Sequence, residues 1–173
     1  MSGEHYLASE DSALLRSALQ GLSGRSCLEI GAGNCGNLVV VANWFGTVVG
    51  TDLVRPATSD WKRVGIDFVL SDGASCLRSG VFDLVVFNPP YLAVEVSDDP
   101  KVEGGRNLEV PKVFLREALR TVKESGRVVF LLNDEADPDE FESLCAEKPF
   151  VMACVATRRV FFEELRVYSA AAR

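Results

Sequence analysis

Ser26-Cys27-Leu28-Glu29-Ile30 runs straight into Gly31-Ala32-Gly33-Asn34-Cys35-Gly36, and this join decides the fold. The first five residues form a short apolar run suited to a buried strand. The next six match the GxGxxG spacing, whose glycines let a chain turn tightly out of a strand and let a ligand approach the backbone closely. Asn37 to Phe45 then reads as a helix packed on a sheet.

Working outward, the same alternation recurs. Upstream, Ser9-Glu10-Asp11-Ser12 resembles a helix start, followed by an amphipathic stripe of Ala13, Leu14, Leu15, Ala18, Leu19 and Leu22 that Gly24 ends. Downstream, Thr47 to Thr51 is a second strand closing at Asp52. Ile66 to Leu70 is a third, closing at Ser71-Asp72, and Phe82 to Phe87 a fourth, closing at Asn88. Pro111 to Val122 reads as a helix, Arg127 to Leu132 as a fifth strand, and Asp137-Pro138-Asp139-Glu140 opens another helix with proline in its first turn. Val151 to Thr157 and Phe161 to Tyr168 close the chain as two strands joined at Arg158-Arg159. The expected fold is α/β and Rossmann-like: a seven-stranded, mostly parallel sheet with helices on both faces and a C-terminal antiparallel hairpin. No linker or repeat divides residues 1–173, so one domain is expected.

Bulk properties narrow the function classes. The formal net charge is −7 and no Lys/Arg cluster appears, which disfavours direct nucleic-acid binding. The five cysteines form no CxxC pair, so neither a zinc knuckle nor a disulfide framework is implied; Cys27 and Cys154 are expected as small buried groups in strands. His5 is the only histidine, which removes histidine triads and multi-histidine metal sites. No apolar stretch approaches a membrane span and no secretory signal is recognisable, so no membrane association and a cytoplasmic location, with passage into the nucleus open, are expected.

In a parallel sheet of this kind, ligands bind beyond the carboxyl ends of the strands. Glu29 with Gly31 and Gly33, Asp52, Ser71 with Asp72, and Asn88 all stand at such ends and should line one crevice. The glycine loop alone suits either the pyrophosphate of a dinucleotide or the amino-acid part of S-adenosylmethionine. Glu29 favours the second, since an acid there matches a cationic amino group. Asp52 can accept both hydroxyls of a ribose, a device nicotinamide enzymes share. Asp72, with Ser71, can accept from an adenine amino group or simply form a turn before Gly73.

Asn88-Pro89-Pro90-Tyr91 adds chemistry to the crevice. An Asn side-chain oxygen, a main-chain carbonyl stiffened by two prolines, and an aromatic face can together grip a planar NH2 group, which points to methylation of an amide or amine nitrogen. Asn88 and Pro89 would hold the two hydrogens, and Tyr91 would wall the site. Arg106 either holds substrate backbone or pairs with an acidic neighbour.

Tyr6-Leu7-Ala8-Ser9-Glu10-Asp11-Ser12, Leu28-Glu29-Ile30-Gly31-Ala32-Gly33, Asp52, Asn88-Pro89-Pro90-Tyr91 and Gly104-Gly105-Arg106-Asn107 together resemble a known family. It is the HemK-like, release-factor glutamine methyltransferases of the class I S-adenosylmethionine-dependent enzymes, in their short eukaryotic and archaeal form. The resemblance implies S-adenosylmethionine as cofactor and N5-methylation of the glutamine in the Gly-Gly-Gln loop of a translation termination factor. It also implies a heterodimer with a small zinc-binding activator, and a cofactor or substrate contact for Glu10 and Asp11. Two departures stand out: Ala8 occupies the place of the family's usual proline, and the loop between Tyr91 and Gly104 is short and acidic.

The third strand should be a sheet edge in this fold. Val64, Ile66, Phe68 and Leu70 make it apolar, with Asp67 as its one charge, so a partner's strand is expected along Ile66 to Leu70. The alternatives are an enzyme methylating adenine N6 or guanine N2 in nucleic acid, an NAD-dependent oxidoreductase, and a scaffold with a degenerate cofactor site. The first fits Asn88 to Tyr91 and is opposed by the acidic charge; the second leaves that tetrapeptide unexplained.

Overall fold

The computed structural model describes residues 4–57, 59–90 and 109–173, excluding the side chains of residues 4–9 and 60. Helix α1 (Glu4–Leu19) leads into strand β1 (Gly24–Ile30), helix α2 (Gly36–Val41), strand β2 (Phe45–Asp52), the short helix α3 (Asp60–Arg63) and strands β3 (Ile66–Leu70) and β4 (Phe82–Phe87). Helix α4 (Glu109–Thr121), strand β5 (Val122–Asn133), helix α5 (Pro138–Ala146) and strands β6 (Phe150–Val160) and β7 (Glu163–Ala172) complete it. The sheet has seven strands in the order β3-β2-β1-β4-β5-β7-β6. β1 to β5 pair in parallel, and β7 runs antiparallel to both β5 and β6. The expected architecture is therefore the observed one.

Each face of the sheet buries its own core. On one, Leu28, Ile30, Phe87 and Phe130 meet Leu115 and Leu119 of α4 and Phe141 of α5. On the other, Cys27, Val86 and Leu131 meet Leu14, Leu15 and Leu19 of α1, Leu38 of α2 and Trp61 of α3. Strands buried on both faces carry continuous apolar runs, as Phe82 to Phe87 does. An aromatic row ties β4 to its neighbours: Phe87 stacks on Phe130 at 4.9 Å and 6°, and Phe130 stacks on Tyr168 of β7 at 5.6 Å. Such ring pairs add about 0.5–1.5 kcal/mol each beyond area burial, so the residue after Phe87 starts from a fixed anchor.

Helix ends follow local chemistry. Asp137 caps α5 by accepting from the Asp139 N–H at 3.1 Å, with Pro138 at the first position, where its missing N–H is least costly. Several boundaries differ from the sequence reading, four of them with a clear local cause or consequence. The helix expected to start near Ser9 already includes Glu4, so Ser9 to Ser12 lie within α1 and cannot cap it. The helix expected to reach Phe45 stops at Val41, passes through a 3-10 turn at Ala42–Trp44, and releases Phe45 to open β2. β5 begins at Val122 rather than Arg127, with a register shift against β4. The final hairpin turns at Phe161-Phe162, not at Arg158-Arg159; Phe161 takes φ 53°, and Arg158 and Arg159 remain strand residues paired with Leu165 and Glu164. Cys154, expected buried, is exposed on β6 at the rim of the sheet, whereas Cys27 is buried as expected.

β3 does form an edge, but its apolar side chains do less at that edge than expected. Ile66 is buried and Phe68 packs on Trp61 at 5.8 Å, so these residues cover the sheet face while Leu70, 54% exposed, stays open. What the edge offers a partner is chiefly its backbone.

At the amino ends of the strands, Asp83 stitches β4 to β1. Its Oδ2 accepts from the N–H groups of Arg25 (2.8 Å) and Ser26 (2.9 Å), and its Oδ1 accepts from Lys123 Nζ at 2.6 Å. Burial alone would raise the Asp83 carboxyl, but the Lys123 ammonium and the two backbone donors outweigh it and hold it below the ordinary Asp value. A depressed carboxylate contributes stability above its unfolded pKa and loses it as pH falls through the folded one. Asp83→Ala is therefore expected to destabilise the chain by about 2 kcal/mol at neutral pH in urea titrations, with the difference from wild type shrinking below about pH 4.

Candidate active site

The strand order reverses at β1, which has β2 on one side and β4 on the other, and it is beyond the carboxyl ends at such a switch point that sheets of this kind bind ligands. Ile30 pairs with Thr51 and with Phe87, placing the glycine loop between Asp52 and Asn88. Two strand spacings of about 4.8 Å separate the backbones of those flanking residues, a span suited to one small molecule.

Gly31 leaves β1 with φ 68°, and a Cβ there would come within 2.9 Å of the Phe114 ring. Both facts exclude a larger residue. The loop is pinned by Ala32 N–H donating to Thr51 O at 2.8 Å, and Gly33 N–H donates to Asp52 Oδ2 at 2.8 Å. Asp52 Oδ1 accepts from Val54 N–H at 3.0 Å. Two backbone donors thus fix the carboxylate at the end of β2, half-buried, with lone pairs left for two further donors such as ribose hydroxyls.

Glu29 is buried, at 1% exposure. Asn37 Nδ2 donates to its Oε1 at 2.6 Å, Arg16 Nε donates to Asn37 Oδ1 at 3.1 Å, and Glu29 Oε2 has no partner among the described residues. Burial pushes the Glu29 carboxyl up to about 8, despite the opposing Asn37 hydrogen bond and the Arg16 charge. An unsatisfied buried carboxylate oxygen beside a glycine loop is the arrangement a cationic amino group would complete. Arg16 lies over that loop: a Cβ on Gly36 would fall 2.6 Å from its Nη2.

Asn88 continues from the Phe87 anchor. Its Nδ2 donates to Asp11 Oδ2 of α1 at 3.0 Å, while its Oδ1 is buried with no partner among the described residues. Pro89 is buried and Pro90 half-buried behind it. At the end of β3, Ser71 N–H donates to Asp52 O at 3.0 Å, which holds that corner beside Asp52; Asp72 is exposed in a turn closed by Ser75 N–H to Asp72 O at 3.2 Å.

The structure thus brings Glu29, Gly31, Gly33, Asp52, Ser71, Asp72, Asn88, Pro89 and Pro90 to one end of the sheet. Glu10 of α1 forms an ion pair with Arg158 of β6, and Asp11 Oδ2 accepts from Asn88 Nδ2 at the same end of the sheet. Tyr91 and Arg106 lie outside the described residues.

Three residues that the sequence reading passed over complete the constellation. Arg16 and Asn37 orient Glu29, and no apolar periodicity would reveal them. Asn133, at the end of β5, donates through Nδ2 to Glu163 Oε1 at 2.8 Å, and its buried Oδ1 has no partner among the described residues. It follows Leu132 as Asn88 follows Phe87, so the strand-end rule that picked out Asn88 applies to it equally.

The chemistry available is now definite: a carboxylate that a cation would satisfy, a second carboxylate set for paired hydroxyls, and between prolines and α1 an amide oxygen waiting for an N–H donor. The raised Glu29 pKa has a sign that can be checked without any ligand. A carboxyl raised on folding stabilises the fold below its unfolded pKa, here 4.5, and that contribution is lost as pH rises through about 8. Wild type should therefore lose stability between pH 5 and 9 relative to Glu29→Gln; thermal unfolding of both across that range measures it, and parallel curves would show that Glu29 ionises normally.

No protein-family model matches the chain. A protein from Methanocaldococcus jannaschii provisionally named a protein N5-glutamine methyltransferase is 31% identical over 184 residues, covering 96% of this chain and 91% of its own. Among solved structures, a chain of the E. cuniculi Mtq2–Trm112 complex, described as responsible for methylating the eRF1 translation termination factor, superposes with a TM-score of 0.77 at 26% identity. It covers 95% of this chain and 96% of that one. The YcgJ protein of Bacillus subtilis, at 11% identity, shares the fold alone, with a TM-score of 0.69 over 95% of this chain and 99% of its own. Likeness over almost the full length of a named relative, together with the strand order and the site at its switch point, places the chain in the class I S-adenosylmethionine-dependent methyltransferases, as a member of the protein N5-glutamine methyltransferase family.

Proposed function

We propose that the chain methylates N5 of the glutamine in the Gly-Gly-Gln loop of a translation termination factor, in the cytoplasm, as the catalytic subunit of a heterodimer. The observation that carries this reading is the Asn88 Oδ1 at the proline corner, buried and without a partner among the described residues. A primary amide has two N–H donors and a weakly nucleophilic nitrogen, so a site for it needs acceptors more than it needs a base.

The described residues fit S-adenosylmethionine. Glu29 Oε2 would hold the ammonium, Asp52 the ribose hydroxyls, and Ser71 with Asp72 the adenine amino group. When bound, S-adenosylmethionine supplies a methyl group activated by its sulfonium charge. Asn88 Oδ1 accepts one hydrogen of the glutamine amide and the Pro89 carbonyl accepts the other, which turns the nitrogen lone pair toward the donor side of the crevice. Both acceptors also stabilise the positive charge that grows on nitrogen as it is alkylated. The product amide, once cationic, is acidic enough to release its proton to water, so the chain needs no dedicated base. Tyr91 is assigned the wall of this site, and Arg106 a hold on the substrate backbone, on sequence grounds.

The activator is assigned to β3. That strand ends the sheet, has its backbone edge turned outward and carries Leu70 exposed, so a partner can extend the sheet by one strand. Support comes from the Mtq2–Trm112 relative, which is itself a two-protein complex. A small zinc-binding protein is the partner class proposed here.

The test is transfer from labelled S-adenosylmethionine to three acceptors, with and without co-expressed activator: a termination factor, its Gln-to-Ala loop variant, and RNA. Label is expected on the factor alone, and strongest with the partner; label on the loop variant or on RNA overturns the substrate. Asn88→Ala should lower turnover by roughly 10²-fold or more while leaving donor affinity by calorimetry nearly unchanged. Near-normal turnover would remove Asn88 from the chemistry.

A further inference from the structure

We propose that Asp11 is a positioning residue that sets the polarity of Asn88, forcing its oxygen rather than its NH2 group toward the substrate. The proposal rests on the amide-methylation reading and adds a residue to it.

An asparagine amide is nearly symmetric in shape. A half-turn about its last bond exchanges oxygen and nitrogen at little steric cost, so hydrogen-bond partners decide which atom points where. The rigid corner after Phe87 fixes where the Asn88 side chain lies, but not its sense. Asp11 supplies the missing information. Its Oδ2 lies 3.0 Å from Asn88 Nδ2, and a carboxylate oxygen only accepts. In the observed sense a proton lies between the two groups. In the flipped sense two acceptors would face each other with none between them, and Asn88 would present donors to a substrate whose reacting group is itself a donor. Such a site would repel the amide it must hold.

The placement of Asp11 supports a dedicated role. It is 6% exposed, on the α1 face that also carries Leu14, Leu15 and Leu19 into the core, at the three- and four-residue spacing that aligns one helix face. A carboxylate there is costly unless strongly engaged. Next to it, Glu10 reaches the other way to Arg158 of β6, which pins α1 to the sheet beside the Asp11 contact. No substrate atom need touch Asp11; it acts through Asn88.

Two variants and two readouts test this in the full-length chain, co-expressed with the activator for the kinetics. Asp11→Asn keeps the shape but replaces an obligate acceptor with a group that can flip together with Asn88. Turnover on the termination factor is expected to fall roughly tenfold to a hundredfold, with KM for the factor, donor affinity and Tm close to wild type. The exchanged pair D11N/N88D restores a donor-to-carboxylate bond and leaves a carboxylate oxygen facing the substrate, so it should be more active than N88D alone. Independently of activity, the Asn88 side-chain NH2 resonances of the free protein should be shifted and slow to exchange in wild type, and lose both properties in Asp11→Asn. Wild-type turnover for Asp11→Asn, a loss confined to Tm or donor affinity, or NH2 signals indifferent to Asp11 would each overturn the proposal. If no glutamine substrate is labelled but the NH2 signals respond as expected, the substrate reading fails and the polarity assignment stands.

Discussion

Everything at the working end of this molecule hangs on the three-strand pairing of β2, β1 and β4. β1 lends its backbone to both neighbours at once, Ile30 facing Thr51 on one side and Phe87 on the other. That double pairing fixes how far the glycine loop can wander, how far apart Asp52 and Asn88 stand, and in which direction both leave the sheet. The helices pack the two faces, but they do not set these distances. Hydrogen-bonded strands do so far more tightly than side-chain packing could, which is why a site with little margin in position is built on strand ends rather than on loops.

The electrostatics follow from that placement. Glu29 and Asn88 are held where water cannot easily serve them, and among the described residues each is only half satisfied: one oxygen of Glu29 is engaged by Asn37, the amide nitrogen of Asn88 by Asp11. Orienting one end of a polar group with a protein partner while leaving the other end empty costs stability in the free protein. The same arrangement means that an incoming donor finds acceptors already aimed and dehydrated. Preorganisation of this kind serves a reaction whose difficulty is the poor nucleophilicity of an amide nitrogen rather than the removal of a proton.

Much of this was readable from residues alone because the strands announce themselves. Ile66 to Leu70 and Phe82 to Phe87 were bounded correctly, since continuous apolar runs between breakers admit one reading. The rule that ligands lie beyond strand carboxyl ends then gathered Glu29, Asp52 and Asn88. Features set by tertiary contact were not legible. Nothing in Arg158-Arg159 tells a strand from a turn until Glu10 is found opposite Arg158, and Phe161 is a residue few would place at a positive φ. Asn37 looked like the first polar residue of a helix, and its importance appears only when Glu29 and Arg16 are seen on either side of it. Asp11 is picked out by resemblance alone, and its bond to Asn88 is not legible, because the spacing along α1 says which face it occupies and not which strand end lies beneath.

The Asp83 stitch has a practical corollary. Among the described residues, the buried side-chain atoms left without a hydrogen bond belong to Glu29, Asn88 and Asn133, all at the carboxyl ends of their strands, while Asp83 at the amino ends has both carboxylate oxygens engaged by donors. The molecule therefore has a frustrated pole and a contented one. An engineer seeking a hardier version can reinforce the second, around Arg25, Ser26, Asp83 and Lys123, with little risk to chemistry; repairing the first would make a sturdier protein and a dead enzyme.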